Sequence, residues 1–238
     1  LKEQYQLHAS LALYERALSY LSTPQERIDI LCQQAWLFEQ FGDGKSCLRR
    51  FDEAHQYREY LDDKTNWQVA LGRLAALRLL GSLQKGEELV SYLEKELSNT
   101  SEDLPLFRAR FAYFKGCIAF SQGELIACEN AQQEAIKLIE SLENRDHSSI
   151  ALVYAQAWSG MGDALYAQGR FAQAAHAMKT AIDLAQNYRF GRIEVSTGHM
   201  LAIVLTYLGK AELGLRQAEN CHRLALTVSD TRATLFAE

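Results

Sequence analysis

The chain has few of the residues that break helices and no clustered sets of the residues that do chemistry. Only two of its 238 residues are proline, Pro24 and Pro105, so nearly every backbone N–H is free to join a helix. Its five cysteines, Cys32, Cys47, Cys117, Cys128 and Cys221, are an odd number with no CxxC pair. That spacing excludes a zinc ribbon and reads as small buried thiols in a reducing compartment. No apolar run approaches the ~20 residues of a membrane span; the stretch Met200 to Leu208 is too short. No signal peptide is evident. Positive charge is scarce too: 25 Lys and Arg against 30 Asp and Glu leave a formal net charge of −5. This argues against nucleic acid as a partner, because phosphate contacts need a cationic face. The 48% hydrophobic and 23% charged content is that of an ordinary soluble protein.

Motifs that carry catalysis are missing as well. There is no HExxH, no GxxxxGK[ST] and no GxSxG. Gly42-Asp43-Gly44-Lys45-Ser46 resembles part of a phosphate loop, but it lacks the first glycine and follows a helix, so a hairpin turn explains it better. Asp62-Asp63 reads as a solvated loop. His8, His55, His176 and His222 sit on second helices with no metal partner at i+4. No catalytic group, metal or cofactor is expected.

What the chain does have is period. Gly42, Gly81, Gly123, Gly169 and Gly209 recur at intervals of 39, 42, 46 and 40 residues, each between two apolar helical stretches. A period of this size is the mark of stacked helical hairpins, and glycine at such a point reads as the left-handed residue between two helices. Five places after each glycine stand Cys47, Gly86, Cys128, Ala174 and Gly214, all small. Seven places before stand Ala35, Leu74, Gly116, Gly162 and Ala202; twelve after stand Ala54, Leu93, Ala135, Ala181 and Cys221. Helices packed at 8–10 Å need small side chains where their axes cross. The expected fold is therefore all-α, a solenoid of antiparallel helix hairpins. The hairpins fall at about 26–62, 65–98, 105–143, 148–188 and 192–228.

The fourth hairpin resembles the tetratricopeptide repeat most closely. It reads Trp158-x2-Met161-Gly162-x2-Leu165, then Gly169-Arg170-Phe171, Ala174-x3-Met178 and Ala181, against the family's W-x2-L-G-x2-Y and A-x3-F. The other units keep the small columns and lose the aromatic ones. The units exceed the family's usual 34 residues, as in the similar arms of bacterial regulatory ATPases and LuxR-type activators. The resemblance implies a right-handed superhelix, one solenoid over residues 1–238, in which the first helix of each hairpin lines a concave groove. Gln4 to Leu21 read as a second helix without a first, and Thr231 to Glu238 as a first without a second, so a piece of a longer cytoplasmic protein is expected. Asn144 to Ser149 falls in the longest interval and reads as a bend in the stack.

The groove positions lie two, three, six, ten and thirteen residues before each glycine, a 3–4 spacing on one helical face. The side chains suited to anchoring a ligand there are Trp36, Glu39, Arg78, Arg110, Tyr113, Phe120, Gln156, Asp163, Tyr166, His199 and Tyr207. None of the positions on this face is lysine or asparagine, the residues with which chaperone-binding members of the family clamp a C-terminal carboxylate. The leading expectation is a protein-interaction module with a protein or peptide partner, no nucleic acid or membrane partner, and self-association through the solenoid ends. A sensor for a small sugar-like ligand is the alternative; it requires a closed pocket of a few hundred Å³.

Overall fold

The computed structural model describes residues 2–102, 104–143 and 147–228, with side chains over 9–102, 104–143 and 147–226. The expected half unit at Thr231 to Glu238 and half of the expected bend, residues 144–146, lie outside the described residues. Within them there are eleven α-helices and no strand: α1 (Lys2–Tyr20), α2 (Pro24–Gln40), α3 (Gly44–His55), α4 (Asp63–Leu80), α5 (Leu83–Asn99), α6 (Pro105–Ser121), α7 (Leu125–Glu140), α8 (Ser148–Ala167), α9 (Phe171–Tyr188), α10 (Gly191–Tyr207) and α11 (Ala211–Val228). None is long and apolar enough to cross a membrane.

Local chemistry sets where these helices start and stop. Pro24 and Pro105 occupy first-turn positions, where a missing N–H costs nothing. Thr23 caps α2, with the Glu26 N–H donating to the Thr23 hydroxyl and that hydroxyl donating to the Glu26 carboxylate. Asp43 accepts from the Ser46 N–H at 3.0 Å and caps α3, so the Gly42–Ser46 stretch is a turn into a helix. The five periodic glycines all take left-handed backbone, with φ of 72°, 64°, 81°, 75° and 73°. After each one, the next N–H donates back to the carbonyl four residues before the glycine: Asp43 to Phe38, Ser82 to Leu77, Glu124 to Ala119, Arg170 to Leu165 and Lys210 to Leu205. That bond closes the last turn of the first helix and aims the chain into the second. Arg189, at φ 60°, does the same work between α9 and α10 without glycine.

Two compact units, Leu1–Glu102 and Asp103–Glu238, hold α1–α5 and α6–α11. In each, consecutive helices pack together and first helices also pack on first helices, α2 on α4 in one unit and α6 on α8 on α10 in the other. All residues of the three small columns are buried. In the first unit, Phe51 fills the space that Gly72 leaves: a Cβ at Gly72 would lie 2.1 Å from the ring. Around it Ile28, Leu31, Ala35, Ala54 and Val69 complete a core against which Trp36 and Phe38 pack. In the second unit, Met178 packs over Gly162 and the Cys221 sulfur over Gly198.

Candidate functional site

Of the expected groove residues, Trp36, Glu39 and Arg78 belong to the first unit. Trp36 is half-buried, its ring edge-on to Phe51 at 5.3 Å and 79°. Arg78 donates to Glu39 at 2.9 Å across α4 and α2, and both side chains are largely buried. Each charge thus answers the other and holds two first helices together.

The remaining eight lie in the second unit, on α6, α8 and α10. Two contacts show which way the α8 face turns. Ser159 and Thr197 share a hydrogen bond of 2.8 Å between their hydroxyls, and the rings of Tyr166 and Tyr207 meet at 6.0 Å. Both reach α10. Gln156, Ser159, Asp163 and Tyr166 follow one another at helical spacing on that side, so Asp163 lies between the two contacts. Its neighbour Ala164 packs with Ala119 of α6 and Cys128 of α7.

Asp163 is the unusual group. It keeps part of its surface accessible, makes no hydrogen bond or ion pair among the described residues, and is raised to about 7 by desolvation. Tyr166 is half-buried; its hydroxyl is pushed above the usual phenol range by desolvation and by the neighbouring Tyr207 hydroxyl. Tyr207 is 61% exposed. Beneath these two lies Phe171, stacked on Tyr207 at 4.8 Å and 8° and tilted against Tyr166 at 5.9 Å. Phe171 is absent from the groove positions counted back from the glycine, because it opens the second helix. Its position two places after Gly169 was the available signal: the tight turn folds it under the end of the first helix. Gln168 and Arg170 tie this turn to Glu129 on α7, at 2.9 Å and at 2.7 and 2.8 Å. The Gln168 amide and the Arg170 guanidinium hold the Glu129 carboxyl below its usual range.

The other expected groove residues are spread along the first helices. Tyr113 is only 8% exposed, its ring against Phe114 at 4.9 Å and its carbonyl accepting from the buried Gln132 at 3.2 Å. Phe120 is 38% exposed near the end of α6. Arg110, Gln156 and His199 are half-buried. Exposure thus falls toward mid-helix, where first helices pack on one another, and rises toward the turns.

Burial pushes the Cys32, Cys47 and Cys128 thiols up to about 12, which leaves no thiolate at neutral pH. Among the described residues no three His, Cys, Asp or Glu side chains cluster as metal ligands. Two open depressions, of about 510 and 470 Å³, lie on second helices. One is lined by α3 residues with Leu80, the other by α7, and neither includes an expected groove residue.

No protein-family model matches the chain, and no curated protein does. Solved structures match over nearly all of it. A Rap protein crystallised with competence and sporulation factor is 13% identical, with a TM-score of 0.73, covering 97% of this chain and 61% of that one. The apo form of RapI is 12% identical with a TM-score of 0.71, covering 88% of this chain and 57% of that one. The chain thus spans less than two thirds of either structure's length. The likeness establishes the fold: an all-α solenoid of helical hairpins of the tetratricopeptide type.

Proposed function

We propose that the chain is a non-catalytic interaction module, 1–238 acting as one solenoid, that docks a peptide or helix in the groove of its first helices. The observation that carries this reading is the cluster of Tyr166, Phe171 and Tyr207 rings at the α8–α9 turn, in which Tyr207 is 61% exposed. Aromatic anchors on a rigid scaffold supply contact area at little entropic cost. Support from fold analogy comes from the similar Rap protein, which was crystallised with competence and sporulation factor. Trp36, Glu39, Arg78, Arg110, Tyr113, Phe120, Gln156 and His199 extend the proposed groove. On this reading the chain is the regulatory arm of a larger cytoplasmic signalling or transcription-regulating protein, comparable with the arms of regulatory ATPases and LuxR-type activators. Self-association through the ends of the solenoid, where Leu213, Leu215 and Leu226 of α11 are exposed, belongs to the same reading.

The test is selection from a displayed library of random linear peptides. Binders enriched by the wild-type chain should lose at least tenfold in affinity against Tyr166→Ala/Tyr207→Ala, with helicity unchanged. Binders indifferent to that double substitution, or none at all, would overturn the reading. A thermal shift with small sugars in place of peptides would favour the ligand-sensor alternative.

A further inference from the structure

Among the described residues six adopt left-handed backbone, and five of them are glycine. The sixth is Arg189, at φ 60° and ψ 40° just past the end of α9. A side chain in that conformation brings its Cβ against the backbone, a strain that glycine avoids. The loop into α10 is secured without the arginine side chain. The Phe190 N–H donates to the Ala185 carbonyl at 2.8 Å, the Tyr188 and Phe190 rings stack at 5.8 Å and 12°, and the Gln186 amide donates to Glu194 at 2.8 Å. Glycine at position 189 would leave all three contacts in place. The Arg189 side chain is exposed, and among the described residues its guanidinium has no hydrogen bond, ion pair or ring contact. Attraction to the α9 dipole does not account for it. A cation serves that purpose in the last helical turn with no strained backbone, and the last turn of α9 carries no basic residue. A strained position that holds a long free cation where glycine would serve is an outlier that points to function.

We propose that the α9–α10 loop is a second docking surface, at which Arg189 receives a carboxylate from an acidic segment of a partner protein. The planar guanidinium takes a carboxylate through two parallel N–H···O bonds. Its backbone is held by the Phe190–Ala185 bond and by the stacked rings of its two sequence neighbours, so little remains to be ordered on binding. Charge favours this occupant. Residues 184–193 contain Arg189 and Arg192 and no acid, in a chain of net charge −5. The acids nearest in sequence are Asp183, more than a turn back along α9, and Glu194, which already accepts from Gln186. A basic segment would meet two like charges. A nucleic-acid backbone needs cations in a row, and this loop has two arginines and no lysine. The surface is separate from the Tyr166, Phe171 and Tyr207 cluster. Phe171 opens α9 and Tyr188 closes it, about 25 Å apart at 1.5 Å per residue.

The full chain serves for both measurements. Arg189→Gly should raise the thermal midpoint by about 2–4 °C, because it relieves the left-handed strain. An unchanged or lower midpoint would show that the folded chain itself accounts for the arginine, and would overturn the proposal. The second measurement is a displayed library of random linear peptides, selected on wild type with counter-selection on Arg189→Gly. The survivors should share an aspartate or glutamate. Exchanging it for the corresponding amide should cost about tenfold in affinity for wild type and leave the residual affinity for Arg189→Gly unchanged. Arg189→Lys, which keeps the charge and loses the fork, should fall between the two. The same peptides should bind Tyr166→Ala/Tyr207→Ala within about threefold of wild type, so failure of the groove leaves this surface standing. Survivors with no shared acid would overturn the carboxylate assignment. Survivors that gain more than about tenfold when phosphoserine replaces the acid would transfer the site to phosphopeptides and overturn it too. No survivors at all would overturn the surface.

Discussion

Desolvation raises Asp163 to about 7 in the folded protein, whereas an aspartate in an unfolded chain titrates near ~4. Between those values the native state holds a proton that the unfolded state has released. The stability associated with that proton is fully present below ~4 and lost as pH rises through 7. Asp163→Asn takes up no such proton. It should match wild type in chemical denaturation at pH 4 and exceed it at pH 8 by at most about 4 kcal/mol, the worth of a shift of roughly three units, less what solvent screening of the accessible part of the carboxyl takes away. A difference independent of pH would show that Asp163 is not raised. The aromatic residues on the same face divide by burial. Tyr113, only 8% exposed, should cost about 2–4 kcal/mol on truncation to alanine because it leaves a cavity. Tyr207, 61% exposed and stacked on Phe171, should cost about 0.5–1.5 kcal/mol, the worth of an aromatic pair. Equal losses in urea titrations would refute that division. Distance from the turn glycine is readable in the sequence; depth is not. Tyr113 and Tyr207 sit on the same helical stripe, but one lies mid-helix where first helices meet and the other beside a turn. Phe171 escaped for a related reason, since spacing along one helix cannot register a ring that a turn folds back from the next.

At the scale of the helix the sequence says more, because packing constraints leave marks at fixed spacing. The five glycines were legible as left-handed turn residues, and the small columns around them mark buried positions throughout. Arg189 was not legible, since nothing distinguishes an arginine that adopts the left-handed conformation from one that does not. The small columns separate two opposing effects at Gly214. Glycine inside an exposed helix costs roughly 0.5–1 kcal/mol against alanine, so Gly214→Ala would ordinarily stabilise α11. Here the added Cβ would stand 2.8 Å from the Ala202 carbonyl oxygen of α10, and backbone cannot swing aside. Overpacking of this kind costs roughly 1–3 kcal/mol and outweighs the propensity gain. Gly214→Ala should therefore lower the thermal midpoint, and an unchanged or higher midpoint would refute the close crossing of α10 and α11. Ala174, fully buried five places after Gly169, should respond to leucine in the same direction and by a similar amount.

For the molecule as a whole, a hairpin ladder draws its stability from neighbouring repeats and needs no single centre. The division at Glu102 and Asp103 then has an experimental consequence. Asp163, Tyr166, Phe171 and Tyr207 all belong to the second unit, as do the helices that position them, α6 through α11. Small apolar residues bury the crossings inside that unit: Ala135, Ala155, Ala164, Ala174, Ala181 and Ala202 are each at most 7% exposed. Its three first helices pack in sequence, α6 on α8 and α8 on α10, so the proposed face is complete without α1–α5. A chain comprising residues 103–238 should fold alone, with helical circular dichroism and a cooperative thermal transition. It should also bind the peptides selected on the full chain within about threefold of the intact affinity, well inside the tenfold that ~1.4 kcal/mol represents. Cooperative folding with binding lost would move the recognition surface toward Trp36, Glu39 and Arg78 in the first unit. An unfolded fragment would refute the independence of the second unit.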